Sequence, residues 1–112
     1  MRYAVPIVDG KVAAHFGHSS HFAFFDVDET KNVIMRRETI ASPGHEPGLL
    51  PAWLAEEGVS VVIARGMGSR AQSLFRESRI EVVTGTLEED PEKIVLDYVR
   101  GTLATGDNLC DH

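Results

Sequence analysis

VSVVIARGMGSRA, residues 59–71, decides the architecture. Its first six residues, VSVVIA, form a near-continuous apolar run, the mark of a strand covered on both faces. Arg65-Gly66-Met67-Gly68 breaks that run. Ser69 to Gln72 then matches a capping box, and Ala71, Leu74 and Phe75 make a helical stripe. A doubly covered strand running straight into a helix is half of a βαβ unit, which needs helices on the faces of a largely parallel sheet.

Working outward, the rhythm on both sides agrees. Leu50, Trp53 and Leu54 have i, i+3, i+4 spacing, with Pro51 near the helix start and Gly58 past the last turn. IEVVT (80–84) is the next strand. Asp90 caps a third helix with Pro91 at its first position, which carries Ile94, Val95, Tyr98 and Val99 inward and stops at Gly101. The first half is β-rich. RYAVPIV (2–8) ends at Asp9-Gly10, HFAFFDV (21–27) is aromatic, DETKN (28–32) supplies turn chemistry, and VIMRRETI (33–40) reads as an edge strand blunted by its arginines. Pro6 cannot donate to a ladder, so one side of that position should lack a partner or carry a bulge. The order β-β-β-α-β-α-β-α predicts an α/β fold, with an antiparallel meander feeding a βαβ half. The expected sheet is mixed and five-stranded, with three helices on its faces. One domain is expected over residues 1–103, followed by a tail, 104–112.

Bulk properties narrow the function. With 43% apolar and 25% charged residues the chain is of the soluble globular class. A net charge of −6 and the lack of a basic stripe argue against a nucleic-acid partner. No apolar run approaches the roughly 20 residues that span a bilayer, and the N-terminus lacks signal-peptide features, so a cytoplasmic location is expected. The single cysteine, Cys110, leaves no internal disulfide. Oligomeric state is not legible.

Chain direction gathers the candidate chemistry. With the first strand pointing up, the second points down and the rest point up, so the loops 9–20, 41–48 and 66–69 collect at one edge. That edge carries the carboxyl ends of the parallel strands, where ligands sit in open α/β sheets. His15 and His18 in HFGHSSHF (15–22) and His45 in SPGHEPG (42–48) become neighbours there. Neutral imidazoles on loops can converge on one metal, although solvated loop histidines would have the same spacing. Alternation along the strand should turn His21 away from the other two. Gly66, Met67, Gly68, Ser69 and Arg70 open a helix, whose free amides attract anions. The run fits G-x-G-x-x-A, but the following strand ends in Thr84-Gly85 with no acid for a ribose, so no nucleotide is expected. Cys110, Asp111 and His112 suit a soft or borderline metal. The third helix should release the tail at the bottom, and eleven residues from Gly101 extend roughly 35 Å, enough to climb back. Hydrolysis is disfavoured: Asp9 lies past the first strand, Asp26 and Asp28 flank a turn at the opposite edge, and no Ser/His/Asp set is legible.

An N-terminal AVP strand, HFG followed by FAFF, the PGHEPG loop, VVIARGMGSRA and IEVVTG together resemble the dinitrogenase iron–molybdenum cofactor biosynthesis family, in order and over nearly the whole chain. The resemblance implies a ribonuclease-H-like fold without nuclease activity. It implies a non-catalytic binding or carrier protein for an iron–sulfur or molybdenum-containing cluster or its precursor, bound transiently, with cluster donor or acceptor proteins as partners. The orange protein of sulfate reducers belongs to the same group. The family's HFG falls on His15, Phe16 and Gly17, its loop histidine on His45, and its glycine turn on Gly66 and Gly68. The CDH ending resembles that of some stand-alone members and adds Cys110 and His112 to the possible metal ligands His15, His18 and His45. A cofactor-binding set of His15, Gly17, His18, His45, Gly66, Met67, Gly68, Ser69 and Arg70 follows. The body of the fold contains no cysteine, so thiolate must come from the tail or sulfide from the cluster itself. A regulatory or scaffold module acting through protein contacts is the alternative, and a small nucleotide-binding protein is a third reading.

Overall fold

A computed structural model describes residues 1–108. Strand β1 (Arg2–Val8) is buried on both faces, with Tyr3, Val5 and Ile7 in one core and Ala4 in the other. Such a strand belongs at the centre of a sheet. The order is β4-β3-β1-β5-β6, with β3 at His21–Asp28, β4 at Val33–Ala41, β5 at Val61–Ile63 and β6 at Glu81–Val83. β1 runs parallel to β5, and β5 to β6, while β3 is antiparallel to both β1 and β4. The sheet has six strands, not five, because Lys11–Val12 (β2) folds back antiparallel on the end of β1. Two residues are too few to show an alternation, so this strand leaves no sequence signal.

Helices cover both faces of the sheet. Helices α1 (Leu49–Glu56) and α2 (Ser69–Glu77) send Leu50, Leu54 and Phe75 onto one face, against Phe22 and Phe24. Trp53 meets both of those rings edge-on, at 5.5 and 5.6 Å between centroids. Helix α3 (Pro91–Arg100) covers the other face with Ile94 and Val95, against Val5, Ile7 and Ile63. Each such side chain removed from water stabilises the fold by about 1.5–3 kcal/mol.

Local chemistry sets the element ends. Asp90 accepts from Glu92 N at 3.0 Å at the start of α3, Pro91 is its first residue, and Gly101 closes it at φ 76°. Ser69 does not cap α2. Gly68 holds the N-cap position, Ser69 is the first helical residue, and the Gln72 side chain donates back to Met67 O at 2.9 Å. Pro6 lies beyond the last β1–β5 pair, Ala4 with Val62, so that ladder does not need its missing donor. At the outer edge, the β3–β4 register shifts between Asp26 and Val27, and Met35 is left unopposed. This bulge, with exposed Arg36 and Arg37 beside it, blunts the edge. No helix among the described residues is long and apolar enough to cross a membrane.

The parallel strands β1, β5 and β6 end together, at Val8, Ile63 and Val83, where β3 begins and β4 finishes. The segments 9–20, 42–48 and 64–68 therefore meet at one edge of the sheet, here called the rim.

Candidate functional site

The rim is built around Phe16. This ring is 5% exposed and meets Phe22 and Phe75 edge-on, at 5.7 and 5.4 Å. Its amide donates to Gly66 O at 2.7 Å, tying the histidine loop to the glycine turn. Phe16–His18 is a single 3₁₀ turn, closed by His18 N to His15 O at 3.0 Å and by Ser19 Oγ to Phe16 O at 3.0 Å. The turn sets His15 and His18 side by side, with ring centroids 5.4 Å apart. His15 is half-buried and His18 exposed. His21 opens β3 instead, and its Nδ1 lies 2.9 Å from the Ser20 hydroxyl.

The second wall is the loop before α1. Ser42 N donates to Ser20 O at 3.0 Å, which ties this loop to the first. Gly48, at φ 81°, turns the chain into α1 in a conformation that a side chain disfavours. Exposed His45 and Glu46 lie between them.

The third wall is the turn before α2. Gly66 is buried, Gly68, Ser69 and Arg70 are exposed, and Met67 is 0% exposed in the aromatic core. Met67 thus packs as a core side chain. Its backbone is also engaged: Met67 N donates to Asn108 Oδ1 at 2.9 Å, and Asn108 Nδ2 donates to Met67 O at 2.8 Å.

Between these walls lies a surface cavity of about 230 Å³, bordered by Phe16, Gly17, His45, Leu50, Arg70 and Leu74. Its floor is apolar, and His45, Glu46 and Arg70 supply the polar groups. Concave apolar sites with a few placed polar groups are the usual form of small-ligand sites. Over that apolar floor the Arg70 guanidinium and the His45 imidazole can meet negative charge, and the Glu46 carboxylate can accept a hydrogen bond.

The structure brings Gly17, His45 and Arg70 to one cavity, while His15 and His18 pair with each other on the turn that carries Gly17 and do not line it. Gly66 acts through its carbonyl, and Gly68 and Ser69 start α2. Among the described residues, no group of three or more His, Cys, Asp or Glu side chains is placed to hold a metal ion. Cys110 and His112 lie outside the described residues. Sequence reasoning missed Phe16 as the anchor, Leu50 and Leu74 as the floor, and Asn108. The aromatic in HFG was the available signal for Phe16. Asn108 had none, because a lone asparagine in a tail carries no periodicity.

The family model for the dinitrogenase iron-molybdenum cofactor matches residues 1–101. Protein MJ0580 of Methanocaldococcus jannaschii is 29% identical over 106 residues, 92% of this chain and 89% of that one. The crystal structure of PH0822 matches with a TM-score of 0.84 and 30% identity, over 94% of each chain. The apo form of the orange protein from Desulfovibrio gigas, 24% identical, shares the fold at a TM-score of 0.70, over 96% of this chain and 93% of that one.

Proposed function

Since the chain belongs to the dinitrogenase iron-molybdenum cofactor family, we propose that it is a non-catalytic carrier whose cargo is an iron–sulfur or molybdenum–sulfur cluster or its precursor. The observation that carries this reading is the shared cavity of Gly17, His45 and Arg70, with the His15–His18 pair on the same turn as Gly17. Sulfide-bridged metal anions are soft and negatively charged. Arg70 and the amides at the start of α2 offset charge, the apolar floor takes the sulfide surface, and His15, His18 or His45 ligates or hydrogen-bonds at the edge. Cys110 and His112 are proposed as further ligands from the tail, and cluster donor or acceptor proteins as the partners.

Openness fits a carrier. His18, His45, Gly17 and Arg70 are exposed, so cargo bound there can be handed to an acceptor. A closed four-thiolate cage would retain it. Anaerobic mixing with tetrathiomolybdate, or with an iron–sulfur donor, should change the charge-transfer absorbance relative to that of the free reagent, and the change should saturate at a fixed stoichiometry. The His15→Ala, His45→Ala double variant should lose most of that change. No change with wild type, or the full change with the double variant, would remove the assignment.

A further inference from the structure

After α3 the chain turns back toward the rim. Leu87 N donates to Ala104 O at 3.1 Å, Gly106 N donates to Gly85 O at 2.7 Å, and Thr86 and Thr105 form an antiparallel bridge. This close pairing depends on Gly85. Its φ is +79°, and a Cβ there would run into Gly106 O. Residues 104–108 are thus a strap laid against residues 85–87, and the strap ends with the Asn108 side chain on the Met67 backbone.

The placement of that last contact is the informative part. Asn108 Oδ1 accepts from Met67 N at 2.9 Å, and the carbonyl of the same peptide group, Gly66 O, accepts from Phe16 N at 2.7 Å. The strap, the glycine turn and the histidine loop are in series across one peptide plane. A hydrogen bond on one side of an amide polarises it and strengthens the bond on the other. Phe16, held by that second bond, also fixes the 3₁₀ turn that pairs His15 with His18.

We propose that Asn108 is a positioning residue for the histidine turn, so that strap docking and cargo binding at the rim favour each other. The cargo half of this rests on the reading of the rim given above, whereas the strap-to-loop half stands on the hydrogen bonds alone. Because such coupling is reciprocal, whatever orders the turn also tightens the strap.

Amide hydrogen exchange read by NMR on the full chain tests the two halves separately. Asn108→Ala should speed exchange of the Met67 amide by about tenfold, the loss expected for a part-buried hydrogen bond, and of the Phe16 amide, whose own bond is weakened but kept, by about twofold. The Tyr3 and Val62 amides of the central sheet should stay unchanged. Gly85→Ala, which displaces the strap without touching Asn108, should reproduce the pattern. Faster exchange at Met67 with Phe16 unaltered would overturn the proposal. In the second arm, Asn108→Ala should weaken tetrathiomolybdate binding by about twofold, and unchanged affinity would overturn the cargo half. If wild type binds no tetrathiomolybdate while Phe16 still responds to Asn108→Ala, the carrier reading fails and the positioning role stands.

Discussion

The two ends of the sheet hold their polar groups in opposite ways. At the lower end, side chains pair with one another: Tyr98 donates to Glu81 at 2.9 Å, Tyr3 donates to Glu29 at 3.4 Å, and the two phenol rings meet edge-on at 5.8 Å. Arg2 there bonds Glu38 at 3.1 Å and lies over the Phe24 ring. At the rim, backbone groups close the loops, through Phe16 N to Gly66 O, Ser42 N to Ser20 O and the pairing of 85–87 with the strap. Much of the rim's polar side-chain chemistry, in His18, His45 and Arg70, faces solvent, the last two beside a cavity. An end built by side-chain pairs is committed to stability. One whose loops are closed by backbone can offer its side chains to a ligand.

The largest effect that would test this contrast is at Phe16. Phe16→Ala should lower the unfolding free energy by about 3–5 kcal/mol in chemical denaturation, since the ring is core and anchor together. A loss below about 1 kcal/mol would mean that the rim is not built on it. Next is charge. Arg70→Glu should weaken tetrathiomolybdate binding by about tenfold or more, while Glu81→Gln at the lower end leaves it unchanged. Equal effects from both would erase the contrast.

A smaller effect is a pH dependence at the lower end. Burial, then the hydrogen bond to Glu81 and its charge, push the Tyr98 phenol from 10.0 up to about 12. The folded state therefore favours the neutral phenol. This contribution to stability is complete below pH 10 and is lost as pH rises through about 12. Unfolding free energies measured from pH 9 to 12 should fall less steeply in Tyr98→Phe than in wild type; parallel slopes would contradict the assignment. Smallest is Thr86, whose fully buried Oγ1 has no hydrogen-bond partner among the described residues. Thr86→Val keeps the shape and should raise stability by about 1 kcal/mol. A loss of that size would show that the hydroxyl does have a partner.

The strands and helices were legible because their signals are local. Asp90, Pro91 and Gly101 mark α3 at both ends, and the apolar run ahead of Arg65 marks β5, even though only Val61–Ile63 pair regularly. Strand direction was legible too, and it brought His15, His18 and His45 to one rim before any coordinates. Contacts between backbone and a distant side chain were not legible. A Ser-x-x-Gln spacing looks the same whether Ser69 caps α2 or Gln72 turns back to Met67 O, as it does here. The reach of the tail could be calculated, but its latch could not, because Asn108 meets Met67 across 41 residues of sequence. Met67 reads from the sequence as part of the cofactor-binding turn, and only the packing of its neighbours buries it in the core.

The most direct test of the central claim is an anaerobic NMR titration of the ¹⁵N-labelled chain with tetrathiomolybdate. The account predicts saturable shifts at Gly17, His18, His45 and Arg70, with Glu29, Glu81 and Tyr98 unmoved. Shifts centred on the tyrosine end, or none at saturating ligand, would contradict it.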